Sequence, residues 1–127
     1  MKGYYGHIET DTLENADFRK VIFTGKHSQL VLMALKPGEE IGEEVHETVD
    51  QFFRFEKGQG KVFIDDDRFD VKDGDAVVVP AGAKHNVMNT GSEDLKLYTI
   101  YSPANHPAGT VHATKAEADE AEAEHHH

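Results

Sequence analysis

The sequence contains no cysteine and no tryptophan, only 4 prolines, and no apolar run longer than Leu30–Leu35. Without cysteine there can be no disulfide, zinc ribbon, iron–sulfur cluster or thiol nucleophile. A run as short as Leu30–Leu35 falls far below the roughly 20 apolar residues that span a bilayer. The opening residues, MKGYYGHIETD, lack the apolar stretch of a secretory signal, so a soluble, cytoplasmic protein is expected. Basic residues are also scarce, with 13 against 24 acids for a net charge of −11, which argues against nucleic acid as a partner. No glycine-rich nucleotide loop and no G-x-S-x-G elbow is present.

What remains is a chain of 127 residues, 38% hydrophobic and 29% charged, the size of one domain. Such a domain buries roughly two-thirds of its unfolded surface, enough for a core without cross-links. Short runs rich in Val, Ile, Phe and Tyr recur throughout: Lys20–Thr24, Gln29–Lys36, Glu43–His46, Gln51–Lys57, Lys61–Ile64, Arg68–Val71, Asp75–Val79, His85–Asn89 and Leu95–Tyr101. Turn residues such as Pro37-Gly38, Asp73-Gly74 and Pro80-Ala81-Gly82 separate them. This spacing predicts an all-β sandwich or barrel with antiparallel sheets, because no helical period of crossover length lies between Val21 and Tyr101. One helical turn is expected at Thr12–Asp17. The segment Lys115–Glu124, five acids against one lysine, has no apolar stripe and reads as a short solvated helix or a disordered tail that favours solubility. His125, His126 and His127 read as the remnant of an expression tag and are set aside.

The segment Gly74–Asn89, GDAVVVPAGAKHNVMN, carries the most specific signal. Gly74 closes a turn, Pro80 ends a buried strand because it cannot donate to a ladder, and Gly82 permits a tight bend before His85. Alternation then puts His85, Val87 and Asn89 on one face. The pattern G-x5-P-x-G-x2-H-x3-N is matched at Gly74, Pro80, Gly82, His85 and Asn89. With glycine at about 7% and proline at about 5% of ordinary sequence, chance alone matches the three turn positions less than about once in a thousand trials.

That pattern resembles the second motif of the cupin superfamily. The first motif, G-x5-H-x-H-x3-4-E-x6-G, is similar to Gly38–Gly58, where Gly38, His46 and Gly58 fit. Glu44 stands at the first histidine position and Gln51 at the glutamate position. The resemblance covers Val31–Tyr101 and implies a double-sheet jelly-roll barrel in which three histidines and a glutamate would hold a divalent metal. It also implies a homodimer and a small-molecule substrate. On this basis residues 1–27 form an N-terminal strand or arm and 28–103 the barrel. Residues 104–124 form a C-terminal extension with the acidic tail, and 125–127 the tag remnant.

The departures from the motif can be read chemically. Glu44 and His46 are two apart on a strand and can both point inward. With His85 they make two histidines and a carboxylate, the ligand set of many non-haem iron(II) oxygenases, and Gln51 adds a neutral oxygen as a weak ligand or a partner for bound water. Oxygen donors in place of one imidazole favour Fe or Mn over Cu, with Zn or Ni open. Against this, Glu44 lies among Glu39, Glu40, Glu43 and Glu47, most of them solvated surface, and Asp50 rivals Gln51 for its place. The distance to Gly58 favours Gln51. Met33, Phe53 and Met88 are candidate substrate-binding residues, although gap-filling methionines and the aromatic pair Phe53 and Phe55 serve equally well as core. His106 and His112, in a polar Pro-containing segment, are expected at the surface, with coverage of the barrel mouth as the alternative. The function read from the sequence is a metal-binding cupin acting on a small organic molecule, with dioxygenase-type oxidoreductase chemistry first. The alternatives are a sugar or sugar-phosphate isomerase and a non-catalytic binding module. Lys84 is the one cation adjoining a proposed ligand, which weighs against a phosphorylated sugar.

Overall fold

The computed structural model describes residues 3–125, so Met1, Lys2, His126 and His127 lie outside the described residues. The strands, in chain order, are β1 (Arg19–Thr24), β2 (Gln29–Leu35), β3 (Glu44–Val45), β4 (Asp50–Lys57), β5 (Gln59–Ile64), β6 (Asp67–Lys72), β7 (Ala76–Val79), β8 (Lys84–Asn89), β9 (Leu95–Ser102) and β10 (Val111–His112), with α1 (Ile8–Glu14) before them and α2 (Lys115–His125) after. All pairings are antiparallel. They form a six-stranded sheet in the order β10-β1-β2-β9-β4-β7 and a four-stranded sheet in the order β3-β8-β5-β6. Two such sheets with their apolar faces inward make the expected jelly roll.

Register explains which residues meet inside. Residues directly opposite one another in adjacent strands share a face, and the pairings Gln51↔Tyr101 and Tyr101↔Gln29 make one inward row across the large sheet. The next rows inward are Phe53–Thr99–Val31 and Phe55–Leu97–Met33–Arg19. Apart from Thr99 and Arg19 these two rows are apolar, with Phe53, Phe55, Val31, Met33 and Leu97 all buried in the core. The first row is polar throughout, and it marks the end of the barrel where chemistry is possible.

The nine expected strands are all present, with ends differing by a residue or two. The helix near the N-terminus lies further upstream than expected. Thr12, fully buried, donates its hydroxyl hydrogen to Ile8 O at 2.7 Å, and the chain leaves the helix at Asn15, whose backbone is extended. Asn15 then bonds Asp17 through both its amide nitrogen and its carbonyl oxygen, forming a turn where helix had been expected. The acidic tail is helical over α2, and a capping box starts it: Glu117 N–H donates to Thr114 Oγ1 at 3.1 Å, while Thr114 N–H donates to Glu117 Oε2 at 3.2 Å. It is not wholly solvated. Ala118 is buried in the core, and Lys115 Nζ donates to Ile41 O at 3.0 Å, three residues before Glu44. Among the described residues no helix is long and apolar enough to cross a membrane.

Glycine is required at two of the motif turns. Gly58 has φ +106°, and a Cβ there would stand 2.9 Å from Asp94 O. Gly82 has φ +88°, and its N–H donates to His46 O at 2.8 Å, which ties the second motif's turn to the first motif's histidine.

Candidate metal centre

Three elements of the small sheet and its flank carry the central side chains. Glu44 in β3 pairs directly with His85 in β8, so their side chains lie side by side on the inner face. His46, two residues beyond Glu44, follows it inward. One donor atom from each of Glu44, His46 and His85 lies within 4.8 Å of the others. The two imidazole centroids are 5.3 Å apart. Gln51 reaches the same place from β4 of the opposite sheet, with Oε1 3.2 Å from His85 Nε2. Asp50 does not join them: it is exposed, and its Oδ1 accepts the Ala81 N–H at 2.8 Å. The second motif's asparagine is a clamp rather than a ligand. Asn89 Nδ2 donates to Leu35 O and Glu93 O, both at 2.9 Å, from a buried position.

The hydrogen bonds around these donors fit a divalent cation. His85 Nδ1 lies 3.0 Å from Ala83 O, an acceptor only, so Nδ1 carries the proton in the neutral ring and Nε2 keeps its lone pair. Gln51 Nε2 donates to Thr99 Oγ1 at 3.0 Å, which turns Oε1 toward His85. In that tautomer the Nε2 lone pair faces Gln51 Oε1 at 3.2 Å. The spacing suits a shared cation: two donors about 2.1 Å from one ion and at right angles stand about 3.0 Å apart. His46 Nε2 is also buried without a hydrogen-bond partner. Glu44 Oε1 lies 3.5 Å from it. Burial, the largest influence on Glu44, pushes its carboxyl upward. His46, Arg19 and His85 together outweigh it and hold the group below the ordinary carboxylate range. Glu44 is thus an anionic donor at neutral pH.

The candidate substrate-binding residues separate. Phe53 stands edge-on to His85 at 6.4 Å and stacks on Phe55 at 6.3 Å, making a floor beneath the donors. Met33 is fully buried in the core. Met88 alternates onto the opposite face of β8 from His85 and pairs with Lys61 and Glu40. Lys84 also faces outward, where its Nζ lies 3.7 Å from Glu43.

Four further residues of this region are not evident from the motifs: Arg19, Tyr101, His106 and His112. The Tyr101 ring lies 6.0 Å from His46, and its hydroxyl lies 3.2 Å from His106 Nε2. Burial pushes the Tyr101 hydroxyl well up, so it stays protonated. Burial, helped by the Arg19 charge, pushes His106 down to about 3, which keeps its ring neutral. His106 therefore departs from the expected surface placement, while His112 is half-buried at the sheet edge. The reason is Gln29, fully buried, whose Oε1 accepts the N–H groups of Asn105 and His106 and whose Nε2 donates to His106 O. One inward glutamine thus pins the segment after β9 over the site, and β10 then pairs with β1, placing His112 opposite Arg19.

Comparison with known proteins agrees with this architecture. The cupin-domain family matches residues 31–101. The Bacillus subtilis protein YrkC is 50% identical, covering 95% of this chain and 68% of its own length. A protein of Acanthamoeba polyphaga mimivirus is 44% identical over 85% of this chain and 70% of its own. The crystal structure of BH2720 from Bacillus halodurans superposes with a TM-score of 0.92 at 44% identity, covering 94% of this chain and 95% of that one. Fold, motif spacing and inward donor set converge, and the chain belongs to the cupin-domain family.

Proposed function

We propose that the protein is a metal-dependent cupin acting on a small organic molecule. In this reading Glu44, His46 and His85 hold a divalent cation and Gln51 supplies a fourth, weaker oxygen donor. The observation that supports it is the convergence of three donor atoms within 4.8 Å, one on a carboxylate kept ionised and one on a buried imidazole nitrogen without a partner. Two nitrogens, one carboxylate and an amide oxygen form a moderately hard set that suits Fe or Mn. Bound there, the metal would supply Lewis-acid polarisation and a template for substrate, and with iron the means for dioxygenase-type oxidation. The chain's own groups do the rest. Ala83 O fixes the His85 tautomer, Phe53 supplies an apolar floor, Tyr101 O–H donates a hydrogen bond at the rim, and the segment through His106 shields the site from water.

The test is metal content by mass spectrometry on protein lacking residues 125–127, since a histidine tail captures nickel and zinc by itself. Near-stoichiometric iron or manganese that is lost in Glu44→Ala supports the reading, and oxygen uptake with a panel of diketones and catechols then tests the oxidase class. Protein that takes up no metal after anaerobic iron loading overturns it and leaves a small-molecule-binding module.

A further inference from the structure

Arg19 occupies an unusual position for an arginine. It is 2% exposed, and among the described residues it is the only Lys, Arg, Asp or Glu in the buried class. No carboxylate oxygen of the described residues comes within the 4.0 Å of an ion pair. Nη1 lies 3.3 Å from His112 Nδ1, the Phe18 ring is 5.4 Å from the guanidinium carbon, and Nε is buried with no partner at all. A buried guanidinium with an idle N–H is costly unless an anion meets it. Its place is inside the barrel: Arg19 shares its face with Val21 and pairs with Met33, both in the core, and its charge is felt at Glu44, Tyr101 and His106.

We infer that Arg19 is the anchor for a carboxylate group on an anionic small-molecule substrate. The charge count leads to the same ligand and rests on the metal-centre reading. Glu44, half-buried, can offset one positive charge, whereas a divalent cation and Arg19 bring three, and no acid of the described residues is in the buried class. A ligand carboxylate reduces that excess of positive charge. Carboxylate is favoured over phosphate because the free guanidinium edge offers planar, two-point contact to one carboxylate. A phosphate needs donors for three oxygens, and Lys115, which shares the Phe18 ring with Arg19, is already held by Ile41 O and Asp119.

The experiment is a titration of acetate, acetamide and inorganic phosphate against metal-free and manganese-loaded full-length protein, read by calorimetry and by the Arg19 Nε–H resonance. Acetate is expected to bind saturably and shift that resonance, with acetamide at least tenfold weaker. Arg19→Gln should lower acetate affinity at least tenfold while metal content stays unchanged, and Arg19→Lys should retain part of it. Equal acetate affinity in wild type and Arg19→Gln, equal binding of acetamide, or phosphate outcompeting acetate each overturns the inference. If the protein takes no metal, loss of acetate binding in metal-free Arg19→Gln still supports Arg19 as the anchor while the metal reading fails. The wild-type Nε–H shift needs no variant and decides the matter should Arg19→Gln fold poorly.

Discussion

Gln51 Oε1 and His85 Nε2 face each other at 3.2 Å from opposite sheets, an amide oxygen set against an imidazole nitrogen. The contact lies on the barrel's inward polar row and joins the two motifs in space, although 33 residues of chain separate them. In the proposed metal centre one cation is held by both.

Gln51→Glu therefore has a definite expected outcome. It adds a negative charge at a distance suited to the cation, so Mn(II) or Fe(II) affinity should rise by about tenfold or more in chelator competition. Gln51→Leu should lower it. If Gln51 were only a hydrogen-bond partner of His85, Gln51→Glu would leave metal affinity flat.

Glu44→Ala removes the only carboxylate of the donor group and should lower metal affinity by at least about 100-fold, more than the loss typical of an outer-shell partner. Glu44→Gln keeps the shape without the charge and should fall between. Near wild-type metal content in both variants would place Glu44 with its acidic, solvated neighbours.

His106 gives a pH prediction. Its pKa lies at about 3 in the folded protein against 6.5 as the ordinary value, so between these pH values the unfolded chain binds a proton that the folded chain refuses. Its contribution to stability is then full above pH 6.5 and is lost progressively as pH falls toward 3. Urea melts at pH 7 and pH 4.5 should differ more for wild type than for His106→Gln. The His106 ring protons should hold constant NMR shifts from pH 8 to 5; a midpoint near the ordinary histidine value would contradict the burial argument.

Gly58→Ala tests the first motif's turn. With φ at +106° and a new Cβ 2.9 Å from Asp94 O, the substitution should cost about 1–3 kcal/mol and lower Tm, with metal affinity unchanged.

The sequence made the strands legible because their apolar residues alternate and their turns carry Gly, Pro or Asp. It made Glu44 and His46 legible because two residues apart on a strand means one face. β10 escaped notice because two residues, Val111 and His112, carry no pattern and are set only by pairing with β1. Arg19 was hidden for a different reason. Val21, Ile22 and Phe23 are apolar on both faces of β1, so alternation could not say that Arg19 points inward, and its partner His112 lies 93 residues away. The acidic tail read equally as helix or disordered chain, and it is the Thr114–Glu117 capping box and the burial of Ala118 that make it a helix.

The placement of His106 depends on Gln29, and this yields a final prediction. Gln29 makes hydrogen bonds to Thr24 Oγ1, to the N–H groups of Asn105 and His106, and to His106 O, at 2.7–3.1 Å, from a fully buried position. Gln29→Leu fills the volume and leaves those backbone groups without partners, at a cost of about 2–4 kcal/mol. Amide exchange at Asn105 and His106 should accelerate strongly, and the Tyr101–His106 contact should loosen, exposing the rim of the site to water. Gln29 is not among the proposed metal donors, so metal content should stay at the wild-type level. Unchanged exchange at Asn105 and His106 would show that β10, through its pairing with β1, holds the segment without help from Gln29.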